Sequence, residues 1–459
     1  MSTLLSLTLL GILVLALGAL NQKRWLMPVI LAGLLVVLAL TLIDWDTRNN
    51  WFNSMLIFDN QAVAFSGLMI ITTWLLFAFA PHYYRGVQRS LDDIFGVMIF
   101  GLVGAVMMTS FGNLIILFLG IETLSIALYV LAGSHKEAIT SNEATLKYFL
   151  LGSFLSGFLL FGIALVYGAT STFDLTTIHQ YVTDHSMEGL PPLFRAGLYL
   201  MIIGLAFKIA IVPFHFWAPD VYEGTPTLLT AFMATVVKTA SIVALYRFFS
   251  ITFEGVHGQW EMTLAVLAAL TIILGNLTGI YQPNLKRMLA YSSISHSGYM
   301  ILAVIAFSDR SAGALLLYTV AYALATILAF GILIMIRESR GNDLFTSFEG
   351  LGKTNSVVAV CLTVSMLSLT GIPPLAGFMA KYYLFATALE MNYLWLVIIA
   401  IAGSAASVAY YFKPVIAVWL KEPSGEALQV PVVYQVYFVI LSVMLLAAGL
   451  VPFLLTGLI

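Results

Sequence analysis

The sequence predicts an all-α polytopic membrane protein with about fourteen transmembrane helices, and three observations carry that reading. Of its 459 residues, 61% are hydrophobic and 9% charged, against about 25% charge in soluble domains. The apolar residues gather in runs close to the roughly 20 residues a helix needs to cross a bilayer. No stretch between the runs is polar enough and long enough to hide a soluble domain.

The runs lie near 3–20, 26–43, 61–80, 94–110, 113–133, 144–168, 196–215, 226–249, 262–281, 288–307, 311–336, 356–386, 393–420 and 432–457. Several contain Gly or Pro, which membrane helices accept where neighbours satisfy the freed backbone groups. The first run reads as a helix and not as a cleavable signal. No basic stretch precedes it, and Lys23 and Arg24 follow it.

Orientation follows from Lys and Arg in the short loops. With the N-terminus outside, the inside loops hold Lys23, Arg24, Arg85, Arg89, Lys136, Lys286, Arg287, Arg337, Arg340, Lys353 and Lys421. The outside loops and helix ends hold only Arg48, Arg195, Arg247 and Arg310. Both termini are therefore expected on the non-cytoplasmic side. The long loop near 169–195, with Asp174, Asp184 and Glu188, fits outside.

The seventh run carries Pro213 shortly after Lys208, and the twelfth carries Pro373 and Pro374 shortly before Lys381. Proline removes a backbone donor and clashes one turn back, so both helices should break. Paired broken helices point to inverted repeats in transporters. The expected organisation is a three-helix segment at 1–90, a first inverted repeat of helices 4–8 at 91–250, a second of helices 9–13 at 251–420, and helix 14 at 421–459. Lys208 and Lys381 would then be pseudo-equivalent.

Ionisable residues inside the runs are the candidate functional groups, because a charge at bilayer depth costs roughly 3 kcal/mol or more. Glu122 is the deepest carboxylate, and Lys147, Lys208, Lys238, Lys381 and Lys413 are the cations. Glu122 either takes a local hydroxyl such as Ser125 or pairs with a lysine on a neighbouring helix, Lys208 being the natural one. A lysine, unlike an arginine, changes charge readily when buried. Every arginine reads as lying in a loop or at a helix end. Snorkelling to the interface is the plain alternative, strongest for Lys147 near its span end and Lys413 beside Pro414. His215 and His296 are candidate proton relays, or structural histidines bonded to serine or backbone. His82, His135, His179, His185 and His257 read as loop residues.

Other classes are excluded. A net charge of −2 implies no nucleic-acid partner. One cysteine, Cys361, gives no disulfide framework and no metal cluster. No P-loop and no dinucleotide-binding glycine pattern is present. Energy must come from an ion gradient or a partner subunit.

Six stretches carry a resemblance: FLGIETLSIALYVLAG, EATLKYFLLGSFLSGFLLFGIALVYG, GLAFKIAIVPFHFWAPDVYEGTPT, ATVVKTASIVALYR, NLKRMLAYSSISHSGY and SLTGIPPLAGFMAKYYLF. They resemble the antiporter-like membrane subunits of respiratory complex I, most closely the N-type, over most of residues 94–390. The length argues against the L-type, and lysine at 381 argues against the M-type, which carries glutamate there. The resemblance implies that Glu122 pairs with Lys208, that Lys238 links two half-channels, and that Lys381 lies near the exit. Lys147, His215 and His296 match polar positions of the central axis. It further implies proton translocation driven by quinone reduction elsewhere in the complex. NADH, FMN, iron–sulfur clusters and quinone would bind other subunits, with none in this chain. The implied partners are the neighbouring K-type and M-type subunits, the lateral helix of the L-type, and lipid, in a bacterial cytoplasmic membrane. A cation/proton antiporter of the Mrp type, a membrane-bound hydrogenase subunit and a non-pumping scaffold remain open as alternatives.

Overall fold

The computed structural model describes residues 1–84, 91–186, 189–254, 256, 258, 260–423 and 428–459. Arg85, Arg89, Glu188 and His257 lie outside these residues.

The first helices are α1 (Ser2–Ala19), α2 (Lys23–Ile43) and α3 (Asn60–Tyr83). A short antiparallel hairpin of β1 (Asn49–Trp51) and β2 (Leu56–Phe58) joins α2 to α3, which the apolar pattern did not announce. Asp59 starts α3 by accepting from the Ala62 N–H at 2.8 Å, satisfying one of the orphan donors of a helix N-terminus. Next come α4 (Leu91–Ser110), α5 (Leu114–Ala132) and α6 (Ile139–Thr170). The expected loop near 169–195 contains α7 (Leu175–Asp184), whose N-cap is Asp174. His82 and His179 accordingly sit in helices, not loops.

The seventh run holds α8 (Pro192–Lys208) and the break after it, α9 (Trp217–Gly224) lies beyond that run, and the eighth is α10 (Thr227–Phe232), a π-helical turn at Met233–Val237, and α11 (Lys238–Thr252). Then follow α12 (Glu261–Ile280), α13 (Leu285–Ala306), α14 (Ser311–Arg340) and the single turn α15 (Leu351–Thr354). The twelfth run is divided into α16 (Ser356–Thr370) and α17 (Ala376–Glu390). The last elements are α18 (Leu394–Leu420), α19 (Val432–Leu450) and α20 (Phe453–Thr456). Among the described residues, 12 helices are long and apolar enough to cross a membrane. The helix α18 runs straight through Pro414, so no break lies beside Lys413.

Contacts divide the chain into two units. The first comprises Met1–Trp217, Gly224–Pro226 and Val236–Thr263, and the second Ala218–Glu223, Thr227–Thr235 and Leu264–Ile459. In the first, α6 meets α8 backbone to backbone: a Cβ on Gly197 would lie 2.8 Å from the Gly162 carbonyl oxygen. Helices in lipid gain little from hydrophobicity, so small residues that allow such approach hold them together. In the second, α14 packs on α16, α17 and α19.

Two cations depart from the sequence reading. Arg247 is 1% exposed inside α11, not in a loop or at an exposed helix end. Its Nε donates to Phe111 O at 2.8 Å, one terminal nitrogen to both Asp59 oxygens at 3.1 and 2.8 Å, and the other to Ile57 O at 3.3 Å. The rigid guanidinium fork fits such a ring of acceptors, which a lysine would not. Lys286, read as an inside-loop cation, is 1% exposed in the first turn of α13 and donates to Glu223 O at 3.0 Å.

Candidate functional site

Each unit carries one helix break with a buried lysine near it, and the two breaks close alike. After α8, the left-handed Ala210 lets Ile211 N–H reach back to Ala206 O at 3.1 Å. After α16, the left-handed Gly371 lets Ile372 N–H reach Leu367 O at 3.0 Å. Both are the reverse turn that ends helices while satisfying late carbonyls. A cis X-Pro bond follows each, at Val212–Pro213 and Pro373–Pro374. The two lysines, however, fall on opposite sides of their breaks. Lys208 is the last residue of α8, and Lys381 lies inside α17 beyond the break.

In the first unit, Lys208 is 7% exposed. Its Nζ donates to Ser125 Oγ of α5 at 2.6 Å, and Ser125 Oγ donates in turn to Ile121 O. The rings of Tyr129, Tyr148 and Phe207 stand 5.7, 5.9 and 5.7 Å from the ammonium, within cation–π range. Trp217 seals the break, its indole N–H donating to Phe207 O at 3.1 Å. The hydrogen bond of Lys208 thus goes to Ser125 and not to Glu122. Glu122 Oε1 is buried without a hydrogen-bond partner, on the wall of an open groove of about 830 Å³ lined also by Tyr129, Asn142, Thr145 and Ser153. A carboxylate left that way costs free energy unless it is hydrated or paired.

In the second unit, Lys381 is 5% exposed. It donates to Leu369 O at 3.1 Å, Thr370 O at 2.7 Å and Ser404 Oγ of α18 at 2.8 Å, and the Tyr299 ring lies 5.1 Å away. Those carbonyls are the last of α16, where the helix dipole favours a cation. Ser404 Oγ donates to Thr370 O at 3.2 Å. His296 shares a small cavity with Lys381, walled by Tyr318, Tyr322 and Ser368. It offers about 10 Å³ for a water's centre, near what one water requires. The imidazole is held by Tyr318 Oη at 2.6 Å and Tyr411 Oη at 3.0 Å, and Ser292 Oγ meets Tyr411 Oη.

The remaining candidates separate. Lys238 is 3% exposed and directly follows the π turn, a feature frequent at functional sites. His215 lies in the break between α8 and α9, half-buried beside the Phe216 ring at 4.5 Å. Lys147 is 40% exposed and pairs with Glu143 one turn earlier at 2.7 Å. Lys413 donates to Ile280 O and, at 3.4 Å, to Gln282 O, capping the end of α12. The sequence reading passed over Ser404, Tyr299, Tyr318 and Tyr411. A hydroxyl on an apolar helix is no signal by itself; only its nearness to a buried cation gives it weight.

The transmembrane family of NADH:quinone oxidoreductases and Mrp antiporters matches residues 112–407. The NADH-quinone oxidoreductase subunit N of Flavobacterium johnsoniae is 44% identical over 98% of both chains. That of Flavobacterium psychrophilum is 40% identical, again over 98% of both. A chain of respiratory complex I from Thermus thermophilus, solved with bound aureothin, superposes with a TM-score of 0.85 at 33% identity, over 99% of this chain and 98% of that one. Matched over nearly its whole length by such relatives, the chain belongs to the NADH-quinone oxidoreductase subunit N family.

Proposed function

We propose that this chain is a proton-translocating membrane-arm subunit of an NADH:quinone oxidoreductase. The observation that carries the reading is the enclosure of Lys208, Lys238 and Lys381, at 7%, 3% and 5% exposure. A buried ammonium costs several kcal/mol to desolvate, and an apolar residue of similar volume is often as stable or more so. A pure scaffold has no reason to keep three.

In this reading, redox chemistry in other subunits sends an electrostatic perturbation along the membrane. It alters the influence of Glu122 on Lys208. Lys208 passes a proton to Lys238, and a proton leaves towards the outside by way of Lys381. His215 and His296 are secondary relays, with Lys147 of lesser weight. NADH, FMN, iron–sulfur clusters and quinone bind elsewhere in the complex. The neighbours are the K-type and M-type membrane subunits and the lateral helix of the L-type. The membrane is the bacterial cytoplasmic one, with both termini outside and the 91–250 and 251–420 segments as inverted repeats.

The test is NADH-driven, quinone-dependent proton uptake into inverted vesicles carrying Lys208→Ala, with assembly checked in parallel. Lost uptake in an intact complex is expected. Wild-type uptake would make Lys208 a structural residue. The family also includes Mrp antiporters, so a chain that co-purifies with no NADH-oxidising subunit would move the reading to a cation/proton antiporter.

A further inference from the structure

We infer that Ser125 and Ser404 are positioning residues that let Lys208 and Lys381 exist both with and without their extra proton inside the protein. The inference rests on the proposed proton-transfer role of those lysines. It arises from one arrangement found twice. Lys208 Nζ donates to Ser125 Oγ at 2.6 Å, and Ser125 Oγ donates to the Ile121 carbonyl. Lys381 Nζ donates to Ser404 Oγ at 2.8 Å, and Ser404 Oγ donates to the Thr370 carbonyl at 3.2 Å. The two serines lie on different helices of different units, α5 and α18.

The chemistry follows from counting donors. A lysine ammonium has three N–H donors and no acceptor, whereas a hydroxyl has one donor and two lone pairs. With the lysine charged, the serine accepts from Nζ and sends its own hydrogen to the carbonyl, as observed. When the proton leaves, one N–H bond breaks and its electron pair stays on nitrogen. The amine then has two donors and one lone pair. Rotation about Cβ–Oγ swings the serine hydrogen from the carbonyl to that lone pair. At Lys381 the two remaining N–H groups keep the Leu369 and Thr370 carbonyls. At Lys381 both charge states are therefore fully hydrogen-bonded, and neither leaves a buried group of the kind that costs about 1–3 kcal/mol; at Lys208 the serine gives each charge state one hydrogen bond, with the rings of Tyr129, Tyr148 and Phe207 around the ammonium. A carbonyl in the serine's place has no hydrogen to give the lone pair of the neutral amine.

The groups facing each lysine set the background. Around Lys208 these are Glu122, Tyr129 and Tyr148, and the apolar Phe207 ring. Around Lys381 they are Tyr299, His296, Tyr318 and Tyr322. The hydrogen bond of Lys208 goes to Ser125, and those of Lys381 go to Ser404, Leu369 O and Thr370 O.

The test uses the assembled complex in sealed inverted vesicles with Ser125→Ala and Ser404→Ala, each beside its Ser→Thr counterpart. NADH-driven proton uptake should fall about tenfold or more in the alanine variants, with the pH dependence of uptake displaced, and Ser→Thr should restore both. A purely structural serine would leave the pH profile of assembled complex unmoved. If an alanine variant fails to assemble, Ser→Cys keeps the volume with a far weaker donor and should show the same displacement. Wild-type rate and pH profile in the serine variants, with uptake lost in Lys208→Ala and Lys381→Ala, would overturn this inference alone. Normal uptake in the lysine variants would overturn it together with the proton-transfer reading.

Discussion

Replacing Lys381 by methionine and by arginine separates a helix cap from a proton carrier. Methionine has nearly the same reach and no donor. The change deletes the bonds to Leu369 O, Thr370 O and Ser404 Oγ. Hydrogen bonds to a charged group contribute about 1.5–3 kcal/mol each, so the gross loss is roughly 5–9 kcal/mol. Against it stands the several kcal/mol that desolvating the ammonium costs, which methionine does not incur. Thr370 O also keeps its bond from Ser404. The net change is about 0–3 kcal/mol, and the complex should assemble. Arginine keeps the charge and the donors but holds its proton throughout. If Lys381 only caps α16, arginine should serve and methionine should be the worse of the two. If Lys381 carries protons, both should abolish NADH-driven uptake in assembled complex. Uptake measured by a pH-sensitive dye, normalised to assembled complex on native gels, decides it. An arginine variant that pumps at the wild-type ratio of protons to electrons would refute the carrier role.

Other predictions follow from the same contacts. Asp59→Ala should destabilise more than Arg247→Leu. The first strands a buried guanidinium and removes an N-cap, a loss of about 3–5 kcal/mol, while the second leaves a carboxylate that is 30% exposed and can be hydrated. Thermal inactivation rates of the solubilised complex should rank in that order, and the reverse ranking would contradict the pairing. Gly197→Ala should impair assembly, because its Cβ would meet the Gly162 oxygen at 2.8 Å, whereas Gly157→Ala, with nothing within 4 Å, should be silent. Equal complex yields from the two would argue against close packing of α6 on α8. Lys147→Ala should cost at most about 0.5 kcal/mol, as expected for an exposed helix pair. Uptake below half of wild type would instead raise Lys147 to an essential relay.

Much of the fold was legible because hydropathy is a local quantity. Each run reports its own transfer energy to lipid, so the apolar helices, and the breaks at Pro213 and at Pro373 and Pro374, could be read one at a time. Two kinds of element escaped. The hairpin β1–β2 and helix α7 lie in polar segments, where no lipid constraint writes a pattern. Lys286 and Arg247 looked like surface charges because they stand near span ends, yet both are enclosed.

The candidate site divides in the same way. That Lys208, Lys238 and Lys381 are buried follows from the sequence, since a charge in mid-run has nowhere else to go. What each ammonium touches does not. Lys208 meets Ser125 from 83 residues away, and Arg247 meets Asp59 from 188 residues away. The sequence by itself determined the membrane class and the enclosure of Lys208, Lys238 and Lys381, because those depend on the energy of single segments in lipid. Only the tertiary structure decided which hydroxyl, carbonyl or carboxylate answers each charge. That depends on how each helix is rotated against its neighbours, which close packing sets and hydropathy does not record.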